Sequence, residues 1–135
     1  MSQVTMTSVK SKDHEQGNPK FVGAGETLSI GDVVVVDSSD VANKLDVSDY
    51  SGDGSDITIC LTDSASGDSV GVAEDGTDLT GVSLSEGDVL YAMGVGNVGD
   101  AWSDVVSGDD VVILGARGVG GVFRFKVQHM GYEKT

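Results

Sequence analysis

The sequence predicts an all-β fold, a small β-barrel or sandwich of short strands with an extended N-terminal arm. Three observations predict it. Valine-rich runs recur between turns, and β-branched residues suit a pleated, half-buried surface. Twenty glycines against one proline supply many turns and no rigid linker. Almost no stretch is rich in the Leu, Ala, Glu and Lys that favour helices. At 135 residues the chain fits one domain.

One stretch organises the rest: Leu28-Ser29-Ile30-Gly31-Asp32-Val33-Val34-Val35-Val36. It returns as Leu84-Ser85-Glu86-Gly87-Asp88-Val89-Leu90-Tyr91, and more loosely as Val106-Ser107-Gly108-Asp109-Asp110-Val111-Val112-Ile113. Each copy has an apolar residue, a small polar turn with glycine, an acidic residue, then a β-branched run. Glycine supplies the positive φ a tight turn needs, and the run after it reads as a strand. The 56-residue separation between the first two copies is too long, and the copies too few, for a solenoid.

Taken in order, residues 1–19 are polar and without periodicity, and read as an extended arm; residues 20–135 form a single β domain. The arm holds Lys10 and Lys12 and is less acidic than the rest, which marks it as a contact segment. The opening residues lack a basic region followed by an apolar core, so no secretion signal is read. Order is expected to begin near Lys20, Phe21 and Val22. Four consecutive valines, 33–36, imply a strand buried on both faces. Residues 41–47 alternate as a strand, with Val41, Asn43, Leu45 and Val47 on one face. Ile57, Ile59 and Leu61 alternate with Thr58, Cys60 and Thr62 as a half-buried strand. Residues 69–73 form a short strand and 74–78 a loop. Asp100 caps one helical turn over residues 100–106. In the last strand Phe123, Phe125 and Val127 face in, while Arg124, Lys126 and Gln128 face out. That outward face gathers positive charge against the trend of the chain.

The charge balance is 22 acidic residues to 8 basic, a formal net charge of −14. Such a surface repels phosphate backbones and anionic lipid, so neither nucleic acid nor membrane is an expected partner. The acid is mostly aspartate, spread in ones and twos. It suits plain solubility, and it equally suits a halophilic source, because a Debye length of about 3 Å at 1 M salt screens self-repulsion.

No residue set stands up as catalytic. Cys60 is the sole cysteine, so no disulfide forms within the chain, and it reads as a small strand residue. His14 and His129 share no metal spacing with it. Asp49, Asp53 and Asp56 surround two glycines but do not follow an EF-hand pattern, and a solvated loop is favoured over a calcium site. The glycine-rich stretches 94–99 and 115–121 lack the helix that a phosphate loop requires, and hairpin turns explain them. No catalytic residue, metal or cofactor is expected. Trp102 and Tyr132 are candidate interface anchors, since aromatics are enriched at interfaces; Trp102 equally suits a core.

The stretch Phe21-Val22-Gly23-Ala24-Gly25-Glu26-Thr27-Leu28-Ser29-Ile30-Gly31-Asp32-Val33-Val34, then Val70-Gly71-Val72-Ala73, then Leu84-Ser85-Glu86-Gly87-Asp88-Val89, resembles the small β-barrel decoration, or cement, proteins of tailed double-stranded DNA virus capsids. It covers roughly residues 20–93. The resemblance implies a non-enzymatic virion protein on the outer capsid surface. Its expected partners are the major capsid protein, whose neighbouring subunits it would bridge, and itself as a homotrimer. The alternatives are another virion part, such as a tail-tube or head-fibre base component, and a small acidic metal-binding barrel. Lys10, Lys12, Lys20, Phe21, Trp102, Arg124, Lys126 and Tyr132 are the candidate partner-binding residues.

Overall fold

The computed structural model describes residues 3–4, 6–11, 20–50, 52, 54–74, 76–94, 98–104, 111–118 and 123–129. They contain ten strands and no α-helix. The strands are β1 (Lys10–Ser11), β2 (Lys20–Ala24), β3 (Val33–Val36), β4 (Val41–Lys44), β5 (Ile57–Ile59), β6 (Ser69–Val72), β7 (Asp78–Thr80), β8 (Val89–Met93), β9 (Val111–Arg117) and β10 (Phe123–His129). The expected all-β class holds.

The strands form two sheets. The first runs β5-β3-β4-β2-β6, antiparallel except where β2 and β4 run parallel. It curls until its two edges meet. The Leu61 amide donates to the Gly71 carbonyl at 2.7 Å, the Ala73 amide donates to the Ile59 carbonyl at 3.0 Å, and Cys60 pairs with Val72 between them. Inside this barrel lie Val22, Ala24, Leu28, Val34, Ala42, Cys60, Val70 and Val72. A ring of so few strands is narrow, which is why its filling is almost all small side chains.

The second sheet runs β1-β7-β10-β9-β8 and is antiparallel throughout. Its inner face carries Leu79, Leu90, Val112, Leu114, Phe123 and Phe125. These pack against Val33, Ile57, Ile59 and Leu61 on the outside of the barrel, forming the main core. Strand β3 is therefore buried on both faces at its start, with Val33 in the main core and Val34 in the barrel. Strand β5 was expected to be half-buried, yet every residue from Ile57 to Leu61 is buried. The residues alternating with Ile57 and Ile59 face the barrel interior instead of water. Thr58 tolerates this because its hydroxyl donates to the Ala73 carbonyl at 2.5 Å.

The recurring module is one turn used twice. The Asp32 amide donates to the Ser29 carbonyl at 3.0 Å, and the Asp88 amide to the Ser85 carbonyl at 3.1 Å. Gly31 and Gly87 hold φ of 92° and 84° at the third position, as a type II turn requires. One copy launches β3 in the barrel and the other launches β8 in the second sheet. The polar half of the third copy, 106–110, lies outside the described residues; its apolar run begins β9.

Three local expectations are corrected. Strand β4 ends at Lys44, and Val47–Asp49 forms a 3-10 turn whose N-cap, Asp46, accepts from the Ser48 amide at 3.0 Å. The loop expected over 74–78 ends early, because Asp78 opens β7. Residues 100–104 form no helical turn: Trp102 exchanges backbone hydrogen bonds with Tyr91 at 2.7 and 2.8 Å, so the segment extends the β8 edge. Residues 105 and 106 lie outside the described residues.

The largest correction concerns the arm. Within segment 1–19, the described residues 3–4 and 6–11 belong to the domain. Val4, Met6 and Val9 are buried in the main core. Gln3 pairs with Trp102 beyond β8 at one edge of the second sheet, and β1 pairs with β7 at the other. The segment thus crosses the molecule as a strap joining both edges of that sheet. Three apolar residues among polar neighbours suffice, because each fills a slot between the sheets. Residues 12–19 lie outside the described residues.

Candidate interaction surface

The candidate residues separate into four groups. Lys12 and Tyr132, like His14, lie outside the described residues. Trp102 is not an exposed anchor: it is 8% accessible and packs with Met93, Val111 and Tyr91. Its position beside the β8 edge makes it core, and its indole N–H is buried without a hydrogen-bond partner.

Lys20 and Phe21 open β2 and are both exposed. Along this strand Val22 and Ala24 point into the barrel, so Phe21 points away from it. Its side of the barrel is not the one the second sheet covers, and Phe21 remains 60% accessible. A phenyl ring so exposed gains little from folding, whereas burying its remaining surface against a partner would stabilise by on the order of 1–2 kcal/mol.

Lys10, Arg124 and Lys126 come together on the outward face of the second sheet. Residues directly opposite on antiparallel strands share a face. Lys10 lies opposite Thr80, Arg124 opposite Asp78, and Arg124 opposite Ala116. Leu79, Phe123 and Phe125 alternate with them toward the core. Ile113, Gly115 and Ala116 lie with Arg124 and Lys126 around a shallow apolar depression. The Arg124 guanidinium pairs with the Asp78 carboxylate at 3.0 Å, with the arginine side chain 65% exposed. At such exposure the pair contributes at most about 1 kcal/mol, and orients the arginine more than it stabilises the fold. Three of the eight basic residues of the chain thus share one face.

The opposite character appears at one end of the barrel. A cavity of about 380 Å³ opens there, rimmed by Asp37, Asp40, Asp56 and Glu74, with Lys20 at its side. The β3–β4 turn fixes part of this rim. The Asp37 carboxylate accepts from the amides of Ser39 at 2.8 Å and Val41 at 3.1 Å, while Asp40 adopts a left-handed φ of 59°. The Tyr50 hydroxyl donates to Asp56 at 2.5 Å and holds it in place. Sequence reasoning missed this rim, because its carboxylates come from three separate turns.

Among the described residues, no three His, Cys, Asp or Glu side chains gather where a metal ion could be held. In the acidic loop 49–56, Asp53 lies outside the described residues and the Asp56 carboxylate accepts from the Tyr50 hydroxyl. Burial, with the Asp32 carboxylate adding to it, pushes the Cys60 thiol up to about 12, so it stays protonated at neutral pH. Of the glycine-rich stretches, residues 95–97 of the first and 119–121 of the second lie outside the described residues; the turn expected over 115–121 starts later, because residues 115–117 still belong to β9, which pairs antiparallel with β10.

No protein-family model matches the sequence, and no curated protein or solved structure matches it either.

Proposed function

We propose that this chain is a structural protein of a virus particle, a decoration protein that binds the outer capsid surface and bridges neighbouring capsid subunits. The observation that carries the proposal is the exposed ring of Phe21. Phe21 presents a large apolar ring, 60% accessible, on the outward face of β2, while Lys20 alternates with it and lies at the barrel mouth. Phe21 also opens the stretch that resembles the cement proteins, and the two Gly-Asp turns of that resemblance launch one strand in each sheet. A staple of this kind stabilises a shell because it binds the assembled lattice better than free subunits. Many copies of modest affinity suffice. The formal charge of −14 suits a particle that works in strong salt, where carboxylate repulsion is screened.

Purified particles test this directly. The chain should be present in hundreds of copies on the outer shell, and Phe21→Ser should lower its occupancy at least tenfold while leaving its melting temperature within a degree. Presence at only a few copies per particle, or absence from particles, would refute the proposal.

A further inference from the structure

We propose that the cationic outward face of β9 and β10 docks onto the acidic barrel mouth of a second copy of this chain. The two surfaces are complementary in charge and each has an apolar centre. On the face, Lys126 and Arg124 flank Ile113 and Ala116, and with Lys10 they outnumber Asp78, the carboxylate paired with Arg124. At the mouth, Asp37, Asp40, Asp56 and Glu74 outnumber the single Lys20 around the entrance to a valine-lined interior.

One molecule cannot join its own two surfaces. The inner face of the second sheet already packs on the barrel through Leu114, Phe123 and Phe125. Arg124 and Lys126 alternate with those phenylalanines and point the other way. The complementary contact is therefore intermolecular. It joins two different patches, so it is head-to-tail and propagates into a ring or a chain instead of stopping at a two-fold dimer.

Electrostatics sets the conditions. Two copies at a formal −14 repel at long range. At 0.15 M salt that repulsion decays over about 8 Å, while charge pairs in contact persist. The docking is independent of the virion proposal, since it needs only the purified chain.

The test is sedimentation of the full chain at 0.15 M salt over a hundredfold range of concentration. The wild type should gain mass with concentration. The face variant Arg124→Glu/Lys126→Glu should sediment as a monomer, and so should the mouth variant Asp40→Lys/Glu74→Lys. Mixed in equal amounts, the two reversed variants should associate again, because each then carries the complement of the other. A monomeric wild type, or an oligomer that both variants retain, overturns the proposal. A mixture that stays monomeric also overturns it, provided both variants keep a cooperative thermal melt.

Discussion

The barrel and the second sheet are built from the same turn, yet they solve opposite problems. The barrel closes on itself through its own hydrogen bonds, at Leu61–Gly71 and Ala73–Ile59, and fills a narrow interior with valine, alanine, one leucine and one cysteine. The second sheet stays open, spends its two buried phenylalanines on the barrel wall, and borrows the N-terminal strap to join its edges. Closure frees the barrel's far side and its mouth to face outward. The open sheet is fixed by what packs on it. Functional surface should therefore tolerate substitution around Phe21 and Lys126, whereas the strap should not.

Breaking the strap has the largest expected effect. Replacing Val4, Met6 and Val9 together with serine removes three buried side chains and leaves their slots unfilled. Losses from such sites run to several kcal/mol each, and a conservative total is on the order of 5 kcal/mol. That rivals the whole stability of a small domain. Urea unfolding should show the midpoint collapse, and circular dichroism should show the loss of sheet. A midpoint within a tenth of the wild type's would mean that the segment is only an appendage.

The two copies of the turn offer a finer comparison. Both glycines have left-handed backbones, so alanine costs about 1 kcal/mol at either one. A Cβ at Gly87 would meet nothing within 4 Å, whereas one at Gly31 would lie 2.5 Å from the Met6 carbonyl oxygen. Gly31→Ala should therefore lose about 1–3 kcal/mol more than Gly87→Ala, because the strap must shift. Equal losses in paired melts would show that the strap does not press on the barrel turn.

This pair also marks how far the sequence could be read. The Gly-Asp-Val signature located both turns and the strands after them, because a positive φ and a β-branched run are local demands. Arg124 and Lys126 were legible for the same reason, as alternation along one strand fixes their face. The strap was not legible: Val4, Met6 and Val9 have meaning only against Gly31 and β7, which lie far along the chain. Trp102 was undecidable in the sequence, since its burial depends on Met93 and Val111 arriving from other strands. The acidic rim at the barrel mouth was hidden likewise, assembled from three turns that only strand pairing brings together.

The smallest expected effect sharpens the contrast inside the barrel. Cys60 is completely buried, and its thiol is pushed up to about 12 from an ordinary 9.0. Between these values the unfolded chain gives up its proton and the folded chain keeps it. Stability is therefore full below pH 9 and falls as the pH rises, by up to about 1.4 kcal/mol per unit. Cys60→Val lacks this proton and should lose less stability between pH 9 and 10.5 than the wild type, although it starts lower if the added methyl overfills the ring. Parallel slopes for the two proteins would mean that water reaches the thiol, and with it that the barrel is looser than its edge-to-edge hydrogen bonds imply. A steeper wild-type slope, together with resistance of Cys60 to alkylation until the domain unfolds, would establish the barrel as the more tightly closed of the two regions.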